Sequence, residues 1–259
     1  MRTMHIRQAQ ISCFPEIYHA HHMLHLEDLE FWVELAIQQG SPILELGCGT
    51  GRVLLPLAQA GLEVYGLDHD AGMLRVLRDH LSAQDESRAS IFLADMARFR
   101  LSRQFGLILL TCNTLSTLPA PQRTAMLACV TQHLRPDGVF AASLPNPSLL
   151  KRLPASAEAE IEDIFPHPQD GQPVQVSSSW RRTASIFTVY WYYDHLLPDG
   201  KVERIEVQAR HHLSSARIYL DELREAGFTS VQTLGDFDYS PYSEDSPYLI
   251  LLANHKRSS

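Results

Sequence analysis

No run of lysines or arginines appears in this 259-residue sequence, whose 22 basic residues are outnumbered by 30 acidic ones, giving a formal net charge of −8. A chain of that sign without a basic patch suits a polyanion poorly, so RNA and DNA are disfavoured as partners. Cysteine is scarce: the four residues at 13, 48, 112 and 129 show no C-x-x-C spacing, which argues against a zinc cluster and a disulfide framework. No apolar run reaches transmembrane length, and the opening M-R-T-M-H-I-R-Q lacks the apolar core of a signal peptide. The expectation is a cytoplasmic protein with no membrane partner. What is present is an ordinary globular balance, 45% hydrophobic and 20% charged, in a length that fits one α/β domain with an insertion.

The informative stretch is P-I-L-E-L-G-C-G-T-G-R-V-L-L, residues 42–55. Ile43, Leu44 and Leu46 form an apolar run too short for a helix and long enough for a buried parallel strand. Gly47, Gly49 and Gly51 then predict a tight turn, and Arg52 to Ala60 an apolar-periodic helix. Strand, glycine turn and helix place backbone N–H groups and a helix N-terminus at one sheet rim, a setting that favours carboxylate-bearing or anionic ligands. The next predicted strand, 63–68, ends in Asp68, 17 residues past Gly51. That is near the roughly 20-residue spacing of a ribose-binding carboxylate, whose two acceptor oxygens suit two adjacent hydroxyls. A dinucleotide is less well served, because the pattern is G-x-G-x-G and Glu45 would face its pyrophosphate. An anion beside a sulfonium or ammonium carries no such penalty. An NAD-linked dehydrogenase is disfavoured on the same grounds.

E-L-G-C-G-T-G followed by Asp68 resembles the nucleoside-binding half of the class I S-adenosylmethionine-dependent methyltransferases. Leu93-Ala94-Asp95-Met96 resembles the family's adenine-reading segment, Phe105 to Asn113 its fourth strand and the loop under the methyl donor, and Leu134 to Phe140 its turn into the fifth strand. The resemblance implies a Rossmann-like, seven-stranded, mostly parallel α/β sheet with helices on both faces, the seventh strand antiparallel between the fifth and sixth. It implies S-adenosylmethionine as cofactor. By the same resemblance Gly47, Cys48, Gly49 and Gly51 make room for its amino-acid portion, and Glu45 accepts from its ammonium. Asp68, with His69 beside it, holds the ribose. Asp95 and the Met96 backbone read the adenine, and Thr111 and Asn113 lie under the methionine part. Met73 packs on the adenine or belongs to the core, and Arg52 reaches the cofactor carboxylate or solvates the helix start. Tyr18 is the nearest match to a lid tyrosine.

Strands are predicted at 42–46, 63–68, 89–94, 107–110 and 139–144, alternating with helices, as a doubly covered parallel sheet requires. Leu29, Trp32, Val33, Ala36 and Ile37 predict a helix ending at Gly40. Residues 1–25 read as irregular and histidine-rich (His5, His19, His21, His22, His25). They form a solvated lead-in or supply a base to the acceptor, with His21, His22 and Tyr18 as candidates. No metal site is expected, since no second cluster completes the coordination of H-x-H-H. His80 reads as a packing residue.

Beyond 145, prolines and an Ala/Glu-rich stretch precede three β-like runs, 174–183, 185–196 and 201–212, with a Pro198-Asp199-Gly200 turn. Their aromatics, Trp180, Tyr190, Trp191, Tyr192 and Tyr193, are cross-strand core or the wall of a substrate pocket. A helix capped by Ser214 or Ser215, with Ile218, Leu220, Leu223 and Ala226 inward, and strands at 230–234 and 248–253 close the chain. In the connecting loop Asp236, Asp238, Tyr239 and Tyr242 are substrate-contact candidates or solvated. The domain reading is one methyltransferase domain over 1–259: lid and helix 1–40, cofactor core 41–150, antiparallel insertion cap 165–213, last helix and strands 214–259. The expected activity is methyl transfer to N or O of a small-molecule acceptor, in a monomer or homodimer. Cofactor binding without turnover and a macromolecular acceptor are the alternatives.

Overall fold

The computed structural model describes residues 13–255, so His5 lies outside the described residues. The chain begins with helices α1 (Phe14–His22) and α2 (Leu29–Gln39). It continues through β1 (Ile43–Leu46), α3 (Leu54–Gln59), β2 (Val64–Asp68), α4 (Ala71–Asp79), β3 (Ala89–Leu93) and β4 (Phe105–Leu110). Then come α5 (Thr114–Thr117), α6 (Ala120–His133), β5 (Leu134–Pro145) and α7 (Pro147–Arg152). Four long strands follow, β6 (Ser156–Pro166), β7 (Pro173–Arg182), β8 (Ile186–Leu196) and β9 (Val202–His212). The chain closes with α8 (Ala216–Glu225), β10 (Phe228–Leu234) and β11 (Tyr248–His255).

Seven strands form one sheet in the order β10-β11-β5-β4-β1-β2-β3, with β11 antiparallel to both of its neighbours. β1 and β4 are buried along their whole length, which is why they read as unbroken apolar runs. Helices cover both faces of the sheet and bury two large apolar clusters against it. The doubly wound sheet expected from the sequence is therefore present. Among the described residues no helix is long and apolar enough to cross a membrane. The second sheet is antiparallel, β6-β7-β8-β9.

The structure corrects several local expectations. Residues 14–22 are helical rather than irregular: Pro15 occupies the first turn, and Phe14, Ile17 and His21 form the buried face. The insertion sheet has four strands and starts at Ser156, because the Ala/Glu-rich stretch is an edge strand. Helix α8 buries Tyr219 and Leu223, with Leu220 and Ala226 packed against the same cluster, while Ile218, expected inward, points outward at 45% exposure. Ser215 stands at its N-cap without a side-chain capping bond, whereas Asp70 does cap α4, accepting from the Gly72 and Met73 N–H groups. Ile37, expected inward on α2, is exposed. His80 donates from Nδ1 to the Val76 carbonyl at 2.8 Å and lies against the His19 ring.

Candidate active site

Because β1, β2 and β3 are sheet neighbours, Glu45, Asp68 and Asp95 all lie toward the same strand-end rim. The glycine turn closes over that rim. Gly47 sits at φ 69°, and a Cβ there would meet Met96 Cε at 3.2 Å. Gly51 sits at φ 89°, where a Cβ would come within 2.3 Å of Leu77 Cδ1, so the turn packs on α4 only as glycine. Asp68 is held by the backbone it organises: one oxygen accepts the Gly49 N–H and the other the Asp70 N–H, both at 2.9 Å. Burial pushes its carboxyl up, but His69 and these two N–H groups outweigh it and hold the pKa below the ordinary range.

Beneath the turn is a cavity of about 260 Å³. Tyr18, Glu45, Gly47, Cys48, Gly49, Arg52, Asp68, His69 and Met73, all singled out from sequence, line it, together with His22, Thr50, Asp70, Cys112 and Thr114. Glu45 is only 3% exposed; one carboxylate oxygen accepts from Thr111 Oγ1 at 3.0 Å, and Oε2 has no hydrogen-bond partner among the described residues. Burial pushes its pKa up to about 7. A buried acceptor aimed into a cavity without a donor is what a bound ammonium would satisfy.

The remaining sequence candidates lie elsewhere. Gly51 stands behind the turn, and Thr111 touches the cavity only through Glu45. Asp95 turns an oxygen back to the Ala97 N–H at 2.8 Å, and Met96 rests against Gly47. Asn113 lines a second, larger cavity. Arg52 neither solvates the helix start nor faces open solvent. Its guanidinium forms a bidentate pair with Asp28 and donates to the His25 carbonyl, tying the glycine turn to the start of α2.

The second cavity, about 1270 Å³, lies between α1, α2, the faces of β8 and β9, and the β10–β11 loop. Alternate residues of the insertion sheet face it: Phe187, Val189, Trp191 and Tyr193 from β8, and Val207, Ala209 and His211 from β9. His211 is pinned to α5 by Ser116 Oγ at 2.8 Å. Of the aromatics noted in the sequence, Trp191 and Tyr193 line the cavity; Tyr192 bonds to Ser179 and lies under the Arg204 guanidinium. From the β10–β11 loop, Asp236, Asp238 and Tyr239 line it, whereas Tyr242 donates to buried Asn146 instead. Asn146 in turn donates to the carbonyls of Ser243, Glu244 and Ser246 and so fixes the loop.

Glu27, Asp28, Glu30, Glu34, Glu162, Asp163, Asp236 and Asp238 bring eight carboxylates to this lining, against one arginine, Arg52, among the described residues. Tyr18, His22, Arg52 and Cys112 line both cavities and form the wall between them. Cys112 and Asn113 hold left-handed backbone (φ 55° and 61°) at that wall, a conformation costing roughly 1–3 kcal/mol each that persists where surroundings enforce it. His21, His25 and Asp163 bring one side-chain nitrogen or oxygen each within 4.8 Å of one another, as do His167, Asp170 and His195 in the insertion. The sequence hid the first grouping because Asp163 stands on β6, 142 and 138 residues along the chain from His21 and His25.

Residues 43–138 match the family model of the methyltransferase domain. The chain carries a methyltransferase domain over those residues and has the fold of the class I S-adenosylmethionine-dependent methyltransferases. Some relatives match along most of the chain. YqeM of Bacillus subtilis, provisionally named a methyltransferase, is 23% identical over 88% of this chain and 89% of its own. Among solved structures, an S-adenosylmethionine-dependent methyltransferase from Clostridium acetobutylicum superposes with TM-score 0.78 at 13% identity, covering 94% of this chain and 99% of that one. CalS10, an amino pentose methyltransferase from Micromonospora echinaspora solved with S-adenosylmethionine bound, gives 0.71 at 17% identity, covering 92% and 96%. The methyltransferase uses S-adenosylmethionine as its methyl donor.

Proposed function

We propose that this enzyme N-methylates a small, amine-bearing acceptor that binds as a cation in the larger cavity, and that residues 1–259 work as one methyltransferase domain. The observation that carries the reading is the cavity's charge: eight carboxylates interleaved with aromatic faces, opposed by one guanidinium already held by Asp28. Carboxylates and aromatic rings attract an ammonium and repel a phosphate backbone. CalS10, an amino pentose methyltransferase, is in keeping with it.

In this reading the smaller cavity takes the cofactor. Glu45 accepts from its ammonium, the Asp68 carboxylate accepts from the ribose hydroxyls, Met73 packs on the adenine, and Asp95 with the Met96 N–H reads the adenine edge. The bound cofactor supplies an activated methyl group. The chain contributes alignment across the wall of Tyr18, His22, Arg52 and Cys112, and exclusion of water.

Two experiments test this. With labelled S-adenosylmethionine, a panel of primary and secondary amines, amino sugars among them, should accept label, while the same scaffolds bearing hydroxyl in place of nitrogen should not. Label passing to the hydroxyl compounds or to RNA instead would overturn the amine assignment. Asp68→Asn should weaken cofactor binding by about 1–3 kcal/mol, the cost of removing a charged hydrogen-bond partner. Calorimetry showing unchanged affinity would take Asp68 out of the site.

A further inference from the structure

An acidic cavity that holds an ammonium also stabilises its protonated form, and a protonated amine has no lone pair to give. The amine reading therefore demands a route for one proton out of the cavity before the new C–N bond forms. One string of side chains provides it. Tyr193 Oη on β8 lies 3.0 Å from His21 Nδ1 on α1, and His21 Nε2 lies 3.1 Å from Asp163 Oδ2 on β6. All three residues line the cavity.

Their chemistry fixes the direction of each bond. The Asp163 carboxylate only accepts, so His21 carries its hydrogen on Nε2; Nδ1 is then a lone pair, and the Tyr193 hydroxyl donates to it. The phenol oxygen keeps its own lone pairs for a donor in the cavity. His21 is buried and stacks on Phe165 with the rings 6° from parallel. His25 Nε2 donates to the same Asp163 oxygen at 3.0 Å.

We propose that Tyr193, His21 and Asp163 form a proton relay that deprotonates the acceptor. The acceptor's N–H bond breaks as an O–H bond forms on Tyr193. The phenol's original O–H breaks as an N–H forms at His21 Nδ1, and Asp163 holds the resulting imidazolium. The pair left on nitrogen forms the bond to the methyl carbon, while the carbon–sulfur bond breaks with its electrons remaining on sulfur. Tyr193 is the catalytic residue; His21 and Asp163 act through it. The relay rests on the amine reading above.

Two further observations fit. Burial lowers the pKa of His21 despite the opposing Asp163, leaving a neutral imidazole ready to accept. Burial raises that of Tyr193, so the phenol stays protonated and passes protons on rather than standing as a phenolate. The other titratable groups facing this pair are Tyr18, His22 and His25 from the N-terminal segment and Glu162 from β6.

The test is Tyr193→Phe, which keeps the ring and its packing, beside His21→Asn. With a protonated amine, the wild-type kcat/KM should fall on the acid side as His21 protonates. Tyr193→Phe should lose that limb and about 10²–10⁴ in rate near neutral pH. Its rate should recover as pH rises through the amine's own pKa, where solvent removes the proton. Independently of turnover, ¹⁵N spectra of the protein without acceptor should show His21 as the Nε2–H tautomer, with the Nδ1 signal moved by Tyr193→Phe. Wild-type turnover of amines with an unmoved pH profile in Tyr193→Phe would overturn the relay and leave the amine reading intact. An unmoved Nδ1 signal, or a stoichiometric divalent ion on His21, His25 and Asp163 in the purified protein, would also overturn it. Failure of every amine with the wild type would remove the reading beneath it.

Discussion

Glu45→Gln is expected to weaken S-adenosylmethionine binding about 10- to 100-fold at pH 8, the range given by losing a charged hydrogen-bond partner of ~1.5–3 kcal/mol. The carboxylate is buried with one oxygen unpartnered among the described residues, so the ligand-free protein carries an unsatisfied acceptor that a bound ammonium completes. Its pKa of about 7 gives the pH dependence a definite sign. Below pH 7 the group is protonated in the free enzyme, and binding an ammonium must expel that proton. Wild-type affinity should therefore fall by up to about tenfold per pH unit on the acid side of 7. In Glu45→Gln it should be flat.

Stability runs the other way. The folded pKa lies above the unfolded one, so this group's contribution is present at low pH and lost as pH rises through 7. The stability of ligand-free Glu45→Gln should gain on that of the wild type as pH rises from 4.5 to about 7, at up to ~1.4 kcal/mol per pH unit, and keep a constant lead above that. Calorimetry and thermal melts across that range check both. A wild-type affinity constant from pH 5.5 to 8 would show that Glu45 stays ionised or lies away from the ligand.

Arg123→Ala should cost about 3–5 kcal/mol of stability, the usual consequence of leaving half of a buried ion pair alone. Arg123 is 2% exposed on α6; Nε donates to Glu222 of α8 at 2.7 Å, Nη1 to the Leu118 carbonyl at 2.8 Å, and the guanidinium lies 5.0 Å over the Tyr219 ring. No cavity residue is involved, so cofactor affinity of the folded variant should stay within about twofold, mutations at independent sites being nearly additive. Replacing both Arg123 and Glu222 by methionine should restore most of the loss, since no buried charge is left unpaired. Urea unfolding of the three proteins decides it. A loss under about 1 kcal/mol for Arg123→Ala would put the pair in the class of weak surface bridges.

The cofactor half was legible because its signals are local. Ile43 to Leu46 is a buried strand in any setting, and three glycines followed by an acid at the next strand end leave few other folds open. Tyr18, Glu45, Asp68 and Met73 could thus be gathered before any contact was seen. The acceptor side was less so. Helix α1 hid because a histidine, His21, stands among its buried positions and breaks the apolar count begun by Phe14 and Ile17. Strand β6 hid because alanine and glutamate favour helix, while at an exposed sheet edge the same charges discourage further pairing. Missing those two elements meant missing Asp163, and with it the partner of His21. Asn146 read only as a chain breaker, although it satisfies three carbonyls of a loop about a hundred residues away.

Helix α1 touches α4 through the Arg75–Glu16 pair, the glycine turn through His19 and Thr50, and the insertion through His21 and Asp163. A single nine-residue element thus borders both cavities, the proposed places of the two reactants. Whatever ordering of that element one guest achieves is inherited by the other, so the two affinities are bound by reciprocity: the factor by which donor favours acceptor equals the factor by which acceptor favours donor. If the smaller cavity takes the cofactor as proposed, the demethylated product would lie against Tyr18 and His22 of this helix, and its departure would be coupled to the helix's release.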